Sequence, residues 1–165
     1  MESRALRAEV IRSKRRRRTV EAEQVGDTVR ISIPAAMTKA EEEHWVGVMV
    51  RRFERRTAAA EHDLTERARS LADRYGLPHP VSIQWVGNQL RRWGSCTPVD
   101  GSIRISDRLA RYPTWVLDYV IVHELAHLAE PGHGKAFHAL VDRYPKAERA
   151  RGFLMGVDLS VGERS

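Results

Sequence analysis

The chain has 165 residues, of which 42% are hydrophobic and 30% charged, with a formal net charge of +6. These values are typical of a soluble globular domain and argue against a disordered chain, and no apolar run approaches the roughly 18 residues that a membrane span needs. Because the N-terminus lacks the apolar core of a signal peptide and Cys96 has no partner for an internal disulfide, we predict a cytoplasmic protein without membrane association.

The basic excess lies in the N-terminal third, where Lys14 to Arg18 form an unbroken basic run. A second group of arginines follows at Arg51, Arg52, Arg55 and Arg56. Such clusters attract nucleic acid, nucleotide phosphates or acidic surfaces, but they are also typical of a solvated arm and a solvated helix face. We predict a basic N-terminal arm over residues 1–18 and a single domain over residues 19–165.

The first predicted elements after the arm are a β-hairpin and a helical segment. VEAEQ and TVRISIP flank the turn Val25-Gly26-Asp27, and the second run alternates apolar and polar residues as a half-buried strand does. Thr38 and Glu41 have the spacing of a capping box at a helix start. One long or two consecutive helices are expected over residues 39–75, ended by Gly76 and Pro78.

A second group of strands precedes the most strongly helical part of the chain. VSIQWV (81–86), LRRWGSC (90–96) and SIRIS (102–106) are predicted to be antiparallel strands joined by short turns. A helix is expected from Thr114, as N-cap, to Glu130, and a last helix from Lys135 to Tyr144, ended by Pro145. Because strands and helices are segregated along the chain, an α+β domain is predicted.

The segment HELAHLAEPGHGKAFH (123–138) contains four of the seven histidines of the chain. His123 and His127 have the spacing H-E-x-x-H within the predicted helix. Residues four apart lie on one helix face, so two imidazoles can bind the same zinc ion. Glu124 lies about 100° around the helix axis from His123, where it can meet a water molecule at the metal.

A third ligand has to come from beyond this helix. In a continued helix His133 would lie about 9 Å further along and roughly 240° round the axis from His127, so the helix must end first. Pro131 and Gly132 are predicted to end it, because proline resists helix continuation and glycine permits a reversal. We predict His133 as the third ligand, and we predict that His138 packs beside the site, with metal or substrate contact as the alternative.

Three protein ligands leave one position of tetrahedral zinc open, which is typical of a catalytic site. One Zn²⁺ suits three imidazoles plus water, although histidines also bind other divalent transition metals such as manganese, iron and nickel. Cys96 is a weaker candidate for a fourth ligand. The pattern predicts metal-assisted hydrolysis, with an amide as the favoured target and Glu124 as general base. By residue type alone, the oxyanion could be stabilised by Tyr119, Tyr144, His138 or His79.

Several separate motifs carry a family resemblance. RWGSC (92–96), SIRIS (102–106), LDYVIVHELAHL (117–128) and GHGKAFHALVDRYP (132–145) resemble the YgjP-like metallopeptidase domain family of predicted metal-dependent hydrolases. The resemblance implies a zincin-like α+β domain with a small antiparallel or mixed sheet, an active-site helix carrying H-E-x-x-H, and kinship with SprT-like proteases, some of which act on proteins bound to DNA. Carried over by position, the metal ligands are His123, His127 and His133, and the catalytic base is Glu124.

The resemblance also concerns the RWGSC segment. In such folds the strands beside the active helix can bind an extended peptide through edge hydrogen bonds. Alternatively, Arg91 and Arg92 contact phosphates, or Trp93 packs while Gly94 and Ser95 form a turn. The chain departs from the usual family residues at Ser106, Gly134 and His138, where asparagine, serine and tryptophan are common.

The leading prediction is therefore a zinc metallopeptidase acting on a peptide or protein. One alternative is a metal-dependent hydrolase of nucleotide phosphoanhydrides, because a site of this kind dictates its substrate weakly. The other is a basic nucleic-acid-associated protein whose metal supports folding. The sequence leaves the oligomeric state open.

Overall fold

The computed structural model describes residues 6–89 and 91–162. The chain divides into two compact units, one up to Ala58 and one from Ala59. The described residues form five α-helices and two three-stranded mixed sheets, which confirms the α+β class. None of the described helices is long and apolar enough to cross a membrane.

The first unit contains a sheet and a long helix. Its central strand is β3 (Thr28–Pro34), which pairs in parallel with β1 (Arg7–Ser13) and antiparallel with β2 (Glu21–Val25). The β2–β3 pair confirms the predicted hairpin. The alternating residues Val29, Ile31 and Ile33 are fully buried and pack with Met49 of helix α1 (Lys39–Ala60).

Part of the predicted basic arm forms regular structure, because residues 7–13 are strand β1. Lys14 to Arg18 lie in the connection from β1 to β2. The division into an arm and one domain stays a prediction. The capping box is confirmed, since the Thr38 N–H donates to the Glu41 carboxylate at 2.8 Å and the Glu41 N–H donates to Thr38 Oγ1 at 3.3 Å.

The first helix of the second unit is α2 (Leu64–Tyr75). Residues 39–75 therefore form two consecutive helices, which was one of the two predicted alternatives. Its sheet has the order β4-β6-β5, with β4 (Ser82–Val86), β5 (Gly94–Thr97) and β6 (Ser102–Ser106). Only the β5–β6 pair is antiparallel, and the antiparallel prediction was wrong for β4 and β6, which run in parallel. The reason is that β6 inserts between the two earlier strands.

Three helices complete the second unit after a 3-10 turn (Asp107–Arg111): α3 (Thr114–Ala129), α4 (Lys135–Val141) and α5 (Ala147–Gly162). The prediction of Thr114 as N-cap was wrong, because Pro113 occupies that position without a side-chain cap. The predicted last helix ends early, at Val141, and α5 was not predicted. Its buried residues Ala147 and Leu154 face the core, but its glycines lower helix propensity.

Helix α3 lies at the centre of the second unit. It packs against α2, α4, α5 and β5, and its Val116, Ile121 and Leu125 are fully buried. Arg67 of α2 binds Asp118 through two hydrogen bonds, one of them from Nη2 to Oδ2 at 3.1 Å. Because α3 is held on several sides, its side chains are presented on a rigid element.

Candidate metal centre

Three imidazole rings converge beside the C-terminal half of α3. The ring centroids of His123 and His127 lie 4.9 Å apart, and the His133 ring lies 5.4 Å and 4.6 Å from them. One nitrogen from each ring can be chosen so that all three lie within 4.8 Å of one another. No other His, Cys, Asp or Glu joins this group within residues 6–89 and 91–162.

The end of α3 brings His133 back to the helix. The helix stops at Ala129, and Glu130 adopts an extended conformation with φ −129° and ψ 97°, as expected for a residue before proline. This confirms that Pro131 ends the helix. The connection then bends at Pro131 and Gly132, as predicted, and Gly132 makes its bend without a positive φ.

The same turn orients one of the rings. Nδ1 of His127 lies 3.1 Å from the carbonyl oxygen of Glu130, so the protonated Nδ1 donates this hydrogen bond. The tautomer leaves Nε2 of His127 unprotonated and free to bind a metal. Nε2 of His133 and Nε2 of His123 approach within 3.4 Å of each other. These contacts direct ring nitrogens of all three histidines toward one point.

The Phe137 side chain of α4 packs against all three histidine rings. It is 1% exposed, and its ring centroid lies 4.9, 4.3 and 4.7 Å from those of His123, His127 and His133. His138 is exposed, contacts Phe137 at 5.6 Å, and lies outside the group of three. The structure thus brings His133, and not His138, beside the H-E-x-x-H pair.

The surroundings of His123 and His127 favour the neutral form of both imidazoles. Burial, reinforced by the neighbouring histidines, lowers the pKa of His123 from 6.5 to about 4. Burial also lowers the pKa of His127. Neutral imidazole is the form that binds a metal, so these two rings are ready for coordination at neutral pH without losing a proton.

Glu124 is buried between the three histidines and strand β5. It is 5% exposed, and burial raises its pKa from 4.5 to about 7, while the positive charge of Arg92 acts in the opposite direction. Gly94 of β5 faces this carboxylate. A Cβ at position 94 would lie 2.6 Å from Oε1 and 2.9 Å from the carboxyl carbon of Glu124. The predicted turn at Gly94 and Ser95 was wrong, because both lie in β5.

We expect Gly94→Ala to destabilise the fold by about 1–3 kcal/mol, because the added methyl group overpacks a buried contact. Gly152→Ala is the control, since Gly152 has open space in α5 and alanine there should stabilise the helix by roughly 0.5–1 kcal/mol. Denaturant unfolding of both variants measures the difference. Equal stability of Gly94→Ala and the wild type would show that the Glu124 side chain moves aside freely.

A pH-dependent stability follows for the metal-free protein. Since the pKa of Glu124 is about 7 in the fold against an ordinary 4.5, the folded state holds a proton that the unfolded state has lost. The free energy of unfolding therefore falls as pH rises from about 4.5 through about 7. We expect Glu124→Gln to remove this fall, which is on the order of 3 kcal/mol.

The lowered pKa of His123 acts in the opposite direction, because stability then rises with pH from about 4 through 6.5. Both proteins contain this histidine, so the difference between them isolates the carboxyl group. Urea unfolding in a chelator at pH 5 and pH 8 is the measurement. Parallel changes in the two proteins would contradict a raised pKa of Glu124.

The remaining predicted candidates are distributed around this centre. Cys96 lies near the site, but its sulfur is outside the group of three, and burial raises its pKa to about 11, so it stays a protonated thiol. The Tyr144 hydroxyl donates to the Trp115 carbonyl at 3.0 Å, and His79 contacts Asp73 at 2.9 Å. The ring centroid of Tyr119 lies 6.0 Å from that of His123.

Two cavities flank the Glu124 carboxylate. The first, here called the α5 cavity, has a volume of about 300 Å³ and lies between β5, α3 and α5. The second, the histidine cavity, has about 380 Å³ and includes His127, His133 and Cys96 in its lining. The lining residues that both cavities share are Arg92, Gly94, His123 and Glu124.

Sequence reasoning missed the contribution of α5. Arg151, Leu154, Met155 and Asp158 all line the α5 cavity. The spacing of Ala147, Ala150 and Leu154 on one helix face was the available signal. The tip of Trp93, before β5, donates from Nε1 to Asp158 Oδ2 at 3.1 Å and so connects the strand to the helix.

Comparisons with known proteins identify a family and a structure of similar fold. The family described as "YgjP-like, metallopeptidase domain" matches residues 4–154. The crystal structure of the metallopeptidase zymogen of Pyrococcus abyssi abylysin is similar to this chain, with a TM-score of 0.50 and 19% sequence identity over 59% of this chain and 93% of that chain. This similarity concerns the fold alone. Among curated protein sequences, none matches.

Proposed function

We propose, from the premise that this chain belongs to the YgjP-like metallopeptidase domain family, that it is a zinc-dependent peptidase with His123, His127 and His133 as ligands and Glu124 as general base. Family membership supports a metal-dependent peptidase in general. The observation that carries the finer proposal is the convergence of three imidazoles within 4.8 Å beside a buried carboxylate.

The donor set fits zinc. Three imidazoles, one of them oriented by a hydrogen bond to a backbone carbonyl, match the three-ligand sites of zinc hydrolases. When bound, zinc supplies Lewis-acid activation of water and polarises a carbonyl oxygen. His133 is exposed and His123 is half-buried, so the group is open on one side, where a substrate can approach.

Glu124 is the group that moves protons. Its carboxylate accepts a proton from the attacking water and returns it to the nitrogen of the leaving amine. Gly94 leaves the space that this carboxylate needs, and burial keeps its pKa near neutrality, at about 7, which suits a group that must both take and give a proton. Phe137 excludes water from the far side of the histidines.

The substrate we propose is an extended peptide. Strand β5 is paired with β6 on one side only within the described residues, so its other edge presents backbone N–H and C=O groups. A peptide bound along this edge would pass both cavities and the Glu124 carboxylate that lies between them. This arrangement supports peptide hydrolysis over nucleotide hydrolysis.

Parallel assays distinguish the proposed reaction from its alternative. Zinc-loaded protein should cleave unfolded proteins and release no phosphate from nucleotides, and a chelator should stop the cleavage. Restoration of activity by zinc is the control for chelator damage. Phosphate release without peptide cleavage would assign the site to nucleotide phosphoanhydrides instead.

A second property rests on the connection between β1 and β2. Lys14, Arg15, Arg17 and Arg18 are exposed there, and none forms an ion pair within residues 6–89 and 91–162, whereas Arg16 pairs with Glu21. We propose that this basic loop binds nucleic acid, in addition to the proposed peptidase activity of the chain. Affinity for DNA should fall steeply with rising salt, and the absence of binding at low salt would discard the association.

The cytoplasmic location stays a prediction.

A further inference from the structure

We propose that Arg92 is a substrate-binding residue whose guanidinium binds a carboxylate of the peptide, next to an apolar side chain that enters the α5 cavity. This inference rests on the proposed peptidase function and adds a substrate class to it. The carboxylate has two sources, the C-terminus of the peptide or an acidic side chain, and the experiment below distinguishes them.

The position of Arg92 is the first observation. It lies two residues before β5, is exposed, and belongs to the lining of both cavities together with His123 and Glu124. A peptide that runs past the Glu124 carboxylate from one cavity to the other must therefore pass this guanidinium. Among the arginines that the structure describes, Arg92 alone lines both cavities.

The positive charge of Arg92 acts on the Glu124 carboxylate without a direct ion pair to it. Its side chain forms no ion pair with a carboxylate of residues 6–89 or 91–162, and the hydrogen bond recorded for Arg92 is accepted by its backbone carbonyl, from Arg108. Among the described residues, none of the five N–H donors of the guanidinium has an acceptor. A planar guanidinium pairs best with a carboxylate, through two parallel hydrogen bonds.

The other polar groups of the α5 cavity are already engaged. Arg151 pairs with Glu148 and lies 3.7 Å from Asp142, and it also hydrogen-bonds Tyr119. Asp158 accepts the hydrogen bond from the Trp93 ring. Apart from Glu124, which has the catalytic role, Arg92 is thus the charged group of this cavity that a ligand meets without displacing a partner.

The apolar walls of the α5 cavity indicate which kind of side chain the peptide carries next to its carboxylate. Val120 and Leu154 are buried at 3% and 6% exposure, and the largely exposed Met155 forms an apolar rim. The volume of about 300 Å³ is at the lower end for small-molecule sites, which suits one side chain of a peptide. Apolar walls with the Arg92 guanidinium beside them match an apolar residue next to a carboxylate.

Direct binding of labelled peptides tests the inference in zinc-loaded Glu124→Gln protein. Glutamine at 124 prevents turnover, and it removes the carboxylate on which the Arg92 charge acts, so any effect of Arg92 is on the ligand itself. One peptide pair ends in leucine with either a free carboxylate or an amide. A second pair is amidated and differs by glutamate or glutamine beside the leucine. Fluorescence anisotropy gives the four affinities.

We expect one of the two carboxylate peptides to bind about 10-fold to 100-fold more tightly than its neutral partner. Preference for the free acid identifies the C-terminus as the source, and preference for glutamate identifies the side chain. Adding Arg92→Gln should abolish the preference, and Arg92→Lys should retain part of it. Arg91→Gln is the matched control, because Arg91 is exposed and lines neither cavity.

Equal binding of charged and neutral peptides would overturn the inference, as would a preference that survives Arg92→Gln. The second outcome would place the carboxylate on the metal or on another group. Because binding is measured without turnover, a wild-type protein that hydrolyses no peptide would defeat the proposed function and leave this readout intact. Peptide hydrolysis without any carboxylate preference would defeat the role of Arg92 alone.

Discussion

Glu124→Gln is expected to lower the rate of peptide hydrolysis by about two to four orders of magnitude while zinc remains bound. Glutamine has nearly the same shape as glutamate, so the space beside Gly94 stays filled. The amide nitrogen cannot accept the proton of the attacking water, and the amide oxygen is a very weak base. The loss therefore reports proton transfer and not packing.

Two measurements make this result decisive. Zinc content after dialysis should equal that of the wild type, because Glu124 is outside the group of three imidazoles. Glu130→Gln is a matched control, since Glu130 contributes a backbone carbonyl to His127 and its side chain is not part of the proposed mechanism. An unchanged hydrolysis rate in Glu124→Gln would remove this residue from the reaction.

The second large effect concerns the third ligand. His133→Ala is expected to weaken zinc binding by more than about 100-fold, because losing a ligand should cost more than losing a partner of a ligand, which costs about 10-fold to 100-fold. His138→Ala should change the affinity by less than about 10-fold, because His138 contacts Phe137 and lies outside the group. Competition with a zinc chelator of known affinity measures both.

These two variants form a matched pair. Both histidines are exposed, so neither substitution leaves a cavity in the core, and thermal unfolding of the metal-free proteins should be nearly the same. The difference in zinc affinity can then be assigned to coordination. If His138→Ala weakened binding more than His133→Ala, the third ligand would have been assigned to the wrong histidine.

Local rules were sufficient for several parts of this molecule. The spacing of His123 and His127 places both rings on one helix face, whatever surrounds the helix. The extended conformation of Glu130 is imposed by Pro131, its neighbour in sequence. Thr38 and Glu41 cap the start of α1 within a single turn. In each case the determining atoms lie within a few residues of one another, so the sequence alone determined the outcome.

Other parts depended on contacts between distant segments. The sequence could not indicate that Gly94 approaches Glu124, because the two lie 30 residues apart and meet only when β5 packs against α3. The parallel pairing of β4 with β6 depends on which strand enters the middle of the sheet. Helix α5 has weak local signals, and it is held in place by the buried faces of Ala147, Ala150 and Leu154.

The sequence by itself therefore determined the arrangement of the histidines in the candidate metal-binding segment, because one helical turn and one proline act over distances of a few residues. Only the tertiary structure decided what surrounds that segment: the space for the Glu124 carboxylate, the α5 cavity, and the position of Arg92 in the lining of both cavities. These features arise where β5, α3 and α5 pack together. That packing depends on the burial of apolar faces from the whole second unit, and no local sequence pattern specifies it.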